Sequence, residues 1–150
     1  MVGVIRDMSG KTFFVSAALA AAIFFAGGAA AADLTVTVTG LRSDQGAVHV
    51  ALYDSRDGFP DSDSILEDRV VPAASAVARF AGIAPGTYAV AVYHDENDND
   101  EFDQGFLGIP REGYAFSRGA GALFGPPDFD DAAFGVEAGG TAITIPMTYW

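Results

Sequence analysis

The chain has no cysteine, and only 8 lysine or arginine residues stand against 20 aspartates and glutamates. Without cysteine there is no disulfide to staple the fold, no thiolate to select a soft metal, and no lipid-bearing cysteine to anchor an exported chain. The scarcity of basic residues leaves a formal net charge of −12. Such a chain is repelled by nucleic acid and by anionic membrane surfaces, so nucleic acid is not an expected partner. The same acidity suits divalent cations or cationic partners, and it equally serves plain solubility. No sequence repeat and no long amphipathic helix is legible.

What is present begins with a leader-like segment. Arg6 and Lys11 give a positive start, Phe13 to Ala26 is apolar apart from Ser16, and Ala29-Ala30-Ala31-Ala32 supplies small residues before Asp33. This pattern predicts a secretory signal peptide over residues 1–32. The apolar stretch is short for a membrane span, which needs about 20 residues, and no stop-transfer charges follow it. The remainder, residues 33–150, is expected to form a single domain with no membrane insertion after cleavage. Loss of Arg6, Asp7 and Lys11 makes that remainder one unit more negative than the full chain. The expected location is outside the cytoplasm, periplasmic or extracellular.

The domain reads as all-β. Leu34 to Thr39 alternates apolar and polar residues with period two, and Gly46 to Tyr53 repeats the pattern, with Val48, Val50 and Leu52 facing inward and His49 outward. Short strands are predicted near Arg69–Val71 and Ala76–Phe80. Pro85-Gly86 turns the chain into Thr87–His94, which is apolar on both faces and therefore central. Residues 132–136 and 141–149, separated by Gly139-Gly140, are expected to form a terminal hairpin, with Pro146 marking an edge or a bulge. Six to seven short strands of this kind predict a Greek-key β-sandwich, immunoglobulin-like or transthyretin-like, with one long ordered loop between Gln104 and Asp130. The aromatics of that loop are expected to pack it onto the domain.

The chemically pointed stretch is Asp95-Glu96-Asn97-Asp98-Asn99-Asp100-Glu101-Phe102-Asp103, at the end of the central strand. Oxygen-bearing side chains at loop positions one, three, five and nine, with a backbone carbonyl at seven, are how a short loop wraps a hard cation. The predicted ligands for calcium are Asp95, Asn97, Asn99, Glu101 through its carbonyl, and Asp103. Two positions depart from the pattern. The sharp turn at position six, usually glycine, is Asp100, and position twelve, usually a bidentate glutamate, is Phe106. Glu112, Asp128 and Asp130 downstream, and Asp54 and Asp57 upstream, are the candidates for the missing ligand. An incomplete shell implies affinity on the order of 10⁻⁴ to 10⁻³ M. The competing reading is a solvated acidic hairpin whose Asn and Asp residues serve turn geometry alone.

Other constellations carry less. His94-Asp95 with Arg111 makes a conceivable base, orienter and cation for a small-molecule hydrolase. Ser117 lacks a Gly-x-Ser-x-Gly context, so it is not an expected nucleophile. Tyr114 and Phe116 would offer a sugar platform only if exposed.

Four stretches carry a family resemblance: Pro85-Gly86-Thr87-Tyr88-Ala89-Val90, His94 to Asn99, Gly105 to Ser117, and Gly125 to Ala132. Together they resemble a bacterial family of secreted proteins known only as domain of unknown function 2141. The resemblance implies a single exported β-sandwich, of prealbumin-like design, and no assigned reaction. Prealbumin-like proteins include a hydroxyisourate hydrolase that ends in Tyr-Arg-Gly-Ser. This chain ends in Met147-Thr148-Tyr149-Trp150, so that activity is not implied. The leading expectation is a non-catalytic, calcium-ordered module that binds a protein or small ligand at the 104–130 loop. The alternatives are the His94/Asp95/Arg111 hydrolase and a structural subunit of an envelope assembly.

Overall fold

The computed structural model describes residues 30–121 and 125–150. The signal-peptide expectation over residues 1–32 falls almost wholly outside them. The described residues form eight strands: β1 Ala32–Thr39, β2 Ala47–Tyr53, β3 Glu67–Pro72, β4 Val77–Ile83, β5 Gly86–Asp95, β6 Gly113–Phe116, β7 Phe134–Val136 and β8 Thr141–Pro146. One helical turn, α1 Phe129–Ala132, precedes β7. No helix among the described residues is long and apolar enough to cross a membrane.

The strands make two sheets. One has three strands in the order β4-β1-β8, and the other runs β3-β2-β5-β6, with β7 also pairing β5. The two sheets form a β-sandwich, as the alternating pattern implied. Leu34, Val36 and Val38 of β1 are buried while Thr35 and Thr37 between them are half-buried, the signature of a strand with one inner face. Against them from the other sheet stand Val48, Val50 and Leu52 of β2 and Val90 and Val92 of β5, closing one core with Phe80 and Ile145.

Strand β5 is central and buries both faces. Its second face, with Tyr53 of β2, is covered by Phe116, Phe129 and Ala132, with Phe59 packed edge-on to Phe116 and Phe129. This second cluster is how the long segment after residue 104 docks on the sheet. Ser117 pins it: its hydroxyl accepts the Val90 N–H at 2.9 Å and donates to the Ala132 carbonyl at 2.5 Å, replacing ladder bonds where β6 ends. Strand β6 lies inside the stretch that read as irregular. Glycine, proline and aromatic density masks a four-residue strand, which is too short to show a period.

The terminal hairpin does not form. Strand β7 pairs β5 in the five-stranded sheet, whereas β8 runs parallel to β1 at the edge of the other. Gly140, at φ 89°, helps turn the chain from one sheet to the other. Alternation marks a strand but does not name its neighbour. The edge placement implied by Pro146 holds, since β8 has only β1 beside it.

Candidate functional site

Strand β5 ends at His94 and Asp95, and consecutive strand residues point to opposite faces. His94 turns toward the core side, where it is fully buried. Its Nε2 lies 2.8 Å from the Gln45 carbonyl and its Nδ1 2.7 Å from the Tyr149 hydroxyl. A carbonyl only accepts, so Nε2 carries the proton and Nδ1 accepts from Tyr149. Both ring nitrogens are thus occupied by the fold. Asp95 turns the other way, and Arg111 is exposed on the far arm of the following hairpin. The structure does not bring His94, Asp95 and Arg111 together.

Asp95 is completely buried, and the loop folds back over it. Its Oδ1 accepts the Asn99 N–H at 3.2 Å and its Oδ2 accepts the Asp100 N–H at 2.8 Å. The reversal is made by Asp98 and Asp100, both left-handed at φ 55° and 59°; aspartate takes the place of the usual glycine at position six by tolerating that region. Asn97 Oδ1 accepts the Asn99 N–H at 3.2 Å, and Asn99 Oδ1 accepts the Glu101 N–H at 3.0 Å. Both amide groups donate to Asp103 Oδ2, at 2.8 Å from Asn97 and 3.4 Å from Asn99. Asp103 thus gathers the amides of Asn97 and Asn99, both exposed, while the buried Asp95 is tied to the loop through the Asn99 and Asp100 N–H groups. Glu101, named for its carbonyl, keeps its side chain exposed.

Glu112 joins them. It is 5 % exposed, and its Oε2 accepts the Asp103 N–H at 3.0 Å. The other candidates lie elsewhere: Asp130 pairs Arg56 at 2.6 Å, and Asp54 and Asp57 line a separate shallow depression beside Phe129. Burial, and then the charges of Asp95 and Asp103, push the Glu112 carboxyl up from its ordinary range. Burial also acts to raise Asp95, but the N–H groups of Asp100, Asn99 and Asp98, together with His49, outweigh it and hold Asp95 below its ordinary value. Among the described residues no lysine or arginine side chain hydrogen-bonds to Asp95, Asp103 or Glu112.

His49, expected at the surface, belongs to this site. It pairs with Tyr93 across β2 and β5, and the two rings stack at 4.4 Å with 12° between their planes. Its Nε2 lies 3.6 Å from both Asp95 Oδ2 and Asp100 Oδ1. The available signal was register: His49 opposite Tyr93 stands two residues from Ala47, the partner of Asp95.

Beside this corner, on the outer face of the five-stranded sheet, runs a groove of about 800 Å³. His49, Tyr93, Phe102, Tyr114, Phe116 and Trp150 are among its lining residues, and Leu107 to Pro110 form part of its wall. The hairpin that carries this wall is closed by the Gln104–Pro110 bridge and the Gly105 N–H to Ile109 carbonyl bond at 2.7 Å. Its tip is not packed on the domain: Phe106 and Leu107 are 84 % and 82 % exposed. The expectation that the loop aromatics form a small core thus holds for Phe116 and Phe129 and fails for Phe106, while Phe124 lies outside the described residues.

The geometry defines a class: an acidic β-sandwich with a polar loop closing the end of its central strand, next to an aromatic groove. Residues 36–144 match the model of a family described as "Uncharacterized protein conserved in bacteria (DUF2141)", and the chain belongs to that family. No curated protein and no solved structure matches the chain.

Proposed function

We propose that the protein is an exported, calcium-ordered binding module. Calcium would be held by Asp95, Asn97, Asn99, the Glu101 carbonyl and Asp103, with Glu112 completing a shell of about six oxygens, the lower end of what calcium takes. The observation that carries this reading is the burial of two carboxylates, Asp95 and Glu112, near Asp103, with no lysine or arginine side chain hydrogen-bonded to any of the three among the described residues. Like charges gathered out of water are unfavourable unless a cation neutralises them. The donors are hard oxygens, which favour calcium over thiophilic metals.

The bond from Asp103 to Glu112 also ties the two arms of the 104–110 hairpin. Neutralising that pair would fix the wall of the groove, so ligand binding there would depend on the ion. Calorimetric titration of the chain without residues 1–32 tests the reading. Heat of binding and a rise in melting temperature at millimolar calcium are expected, and the absence of both removes it.

One observation favours a second role at the same hairpin. Leu107 is held at φ 62°, a conformation unfavourable for leucine, with Phe106 beside it and both side chains in solvent. Exposed neighbouring apolar side chains on a closed hairpin suit insertion into a protein partner, as in an envelope assembly. Replacing both by serine should then abolish retention of a partner from envelope extracts and leave calcium binding intact.

A further inference from the structure

The corner of the groove holds a donor set that shares only Asp95 with the calcium ligands. His49 Nε2 is shielded from solvent and has no hydrogen-bond partner among the described residues. It sits 3.6 Å from Asp95 Oδ2 and 3.6 Å from Asp100 Oδ1, and the three atoms lie within 4.8 Å of one another. We propose that His49, Asp95 and Asp100 form a second cation site, for a divalent transition metal of the zinc and cobalt class, open toward the aromatic groove.

Three observations converge on it. Metal–nitrogen and metal–oxygen bonds of about 2.0–2.2 Å at tetrahedral angles separate ligand atoms by about 3.4 Å, close to the 3.6 Å from His49 Nε2 to each carboxylate oxygen. A buried imidazole nitrogen without a partner carries its desolvation penalty uncompensated, and a bound metal removes it. The ring is also held in place: Tyr93 stacks against it, so its nitrogen is aimed before any ion arrives.

The imidazole decides the class of ion. Calcium and magnesium take oxygen, while zinc, cobalt, nickel and copper accept a neutral ring nitrogen with carboxylates. Three protein ligands leave coordination positions free, and both His49 and Asp100 line the groove. A groove ligand with an oxygen or nitrogen donor would therefore reach the ion directly. Asp95 is the single residue shared with the calcium loop: its Oδ2 faces His49 while accepting the Asp100 N–H, and its Oδ1 accepts the Asn99 N–H.

The test is a titration of the metal-stripped chain with cobalt(II) in millimolar calcium, read by visible absorption and by calorimetry. Saturable binding of one equivalent is expected. His49→Gln should weaken it at least about 100-fold, the upper end of what losing even an outer-shell partner costs, and Asp100→Asn about 10-fold. Asp100 is 83 % exposed, so that variant does not threaten folding. The chain has 2 histidines, and the other is fully bonded, so zinc should shift the nuclear magnetic resonance signals of His49 and leave those of His94. No cobalt binding by the unmodified chain, or binding unchanged by either substitution, overturns the proposal. Both substitutions should spare the calcium response, so a chain that takes up cobalt but not calcium would sink the calcium reading and leave this one standing.

Discussion

Glu112 Oε2 accepts the backbone N–H of Asp103 at 3.0 Å, joining residues nine apart across the base of a hairpin. In the calcium-bound module proposed above, the glutamate that such a loop needs near its end would come from beyond an inserted turn, not from position twelve.

Glu112→Gln separates a structural acid from an ion ligand. The substitution keeps an oxygen for the Asp103 N–H and removes a buried charge repelled by Asp95 and Asp103. Without calcium the variant should melt at the same temperature as the unmodified chain or higher. Its calcium response should shrink: an ion at about ten times its Kd adds about 1.4 kcal/mol, several degrees in melting temperature, and most of that should vanish. Thermal melts with and without millimolar calcium check both signs.

Limited proteolysis reads the hairpin. Calcium should slow cleavage between Gln104 and Asp130 in the unmodified chain. Asp95→Ala and Asp103→Ala should each raise cleavage there and abolish protection by calcium, because one releases the Asn99 and Asp100 N–H groups and the other releases both Asn amides. Mass mapping of the cut sites decides, and cleavage unaffected by calcium in every chain would separate the hairpin from the ion.

Gly46 holds the other side of the site. Its φ is +70°, and a Cβ there would collide with the Asp95 carbonyl oxygen. Gly46→Ala should cost more than about 1 kcal/mol, since both the left-handed backbone and the close approach oppose it. Gly139→Ala, where a Cβ meets nothing within 4 Å and φ is not positive, should stay within about 0.5 kcal/mol. Denaturant melts of the pair check the contrast.

A pH dependence follows from Glu96. The Arg42 guanidinium, whose Nε donates to Glu96 Oε2 at 2.8 Å, and then Ser43 hold this carboxyl below its ordinary value. A depressed carboxylate adds stability above the unfolded glutamate value, about pH 4.3, and that stability is lost as pH falls through the lower folded value. Arg42 is 48 % exposed, so solvent screening limits the pair to less than about 1 kcal/mol. The melting-temperature gap between the unmodified chain and Arg42→Ala should be small and steady near neutral pH, and should close on acidification below that range.

Much of the fold was legible because alternation is a local property. Leu34, Val36 and Val38, or Val48, Val50 and Leu52, declare an inner face without reference to any neighbour. The double burial of β5 was legible for the same reason, from apolar residues on both its faces. Strand pairing is non-local, and there the reading failed: residues 134–136 and 141–146 were adjacent in sequence but joined different sheets. Strand β6 has no local signature, because four residues inside a glycine- and aromatic-rich segment carry no period.

The site divides along the same line. Spacing alone proposes Asp95, Asn97, Asn99 and Asp103 as ligands, because residues within one short loop need only local geometry to hydrogen-bond to one another, as these do. Glu112 was one of five acids that chain order ranked equally, and His49 read as a surface histidine. What singled them out was a hairpin folding back and a β2–β5 register, contacts whose partners lie far apart along the chain. Composition and period set a sandwich with an acidic loop; which carboxylate and which imidazole meet at its end was decided by packing, because side chains are brought to a common point by the strands that carry them.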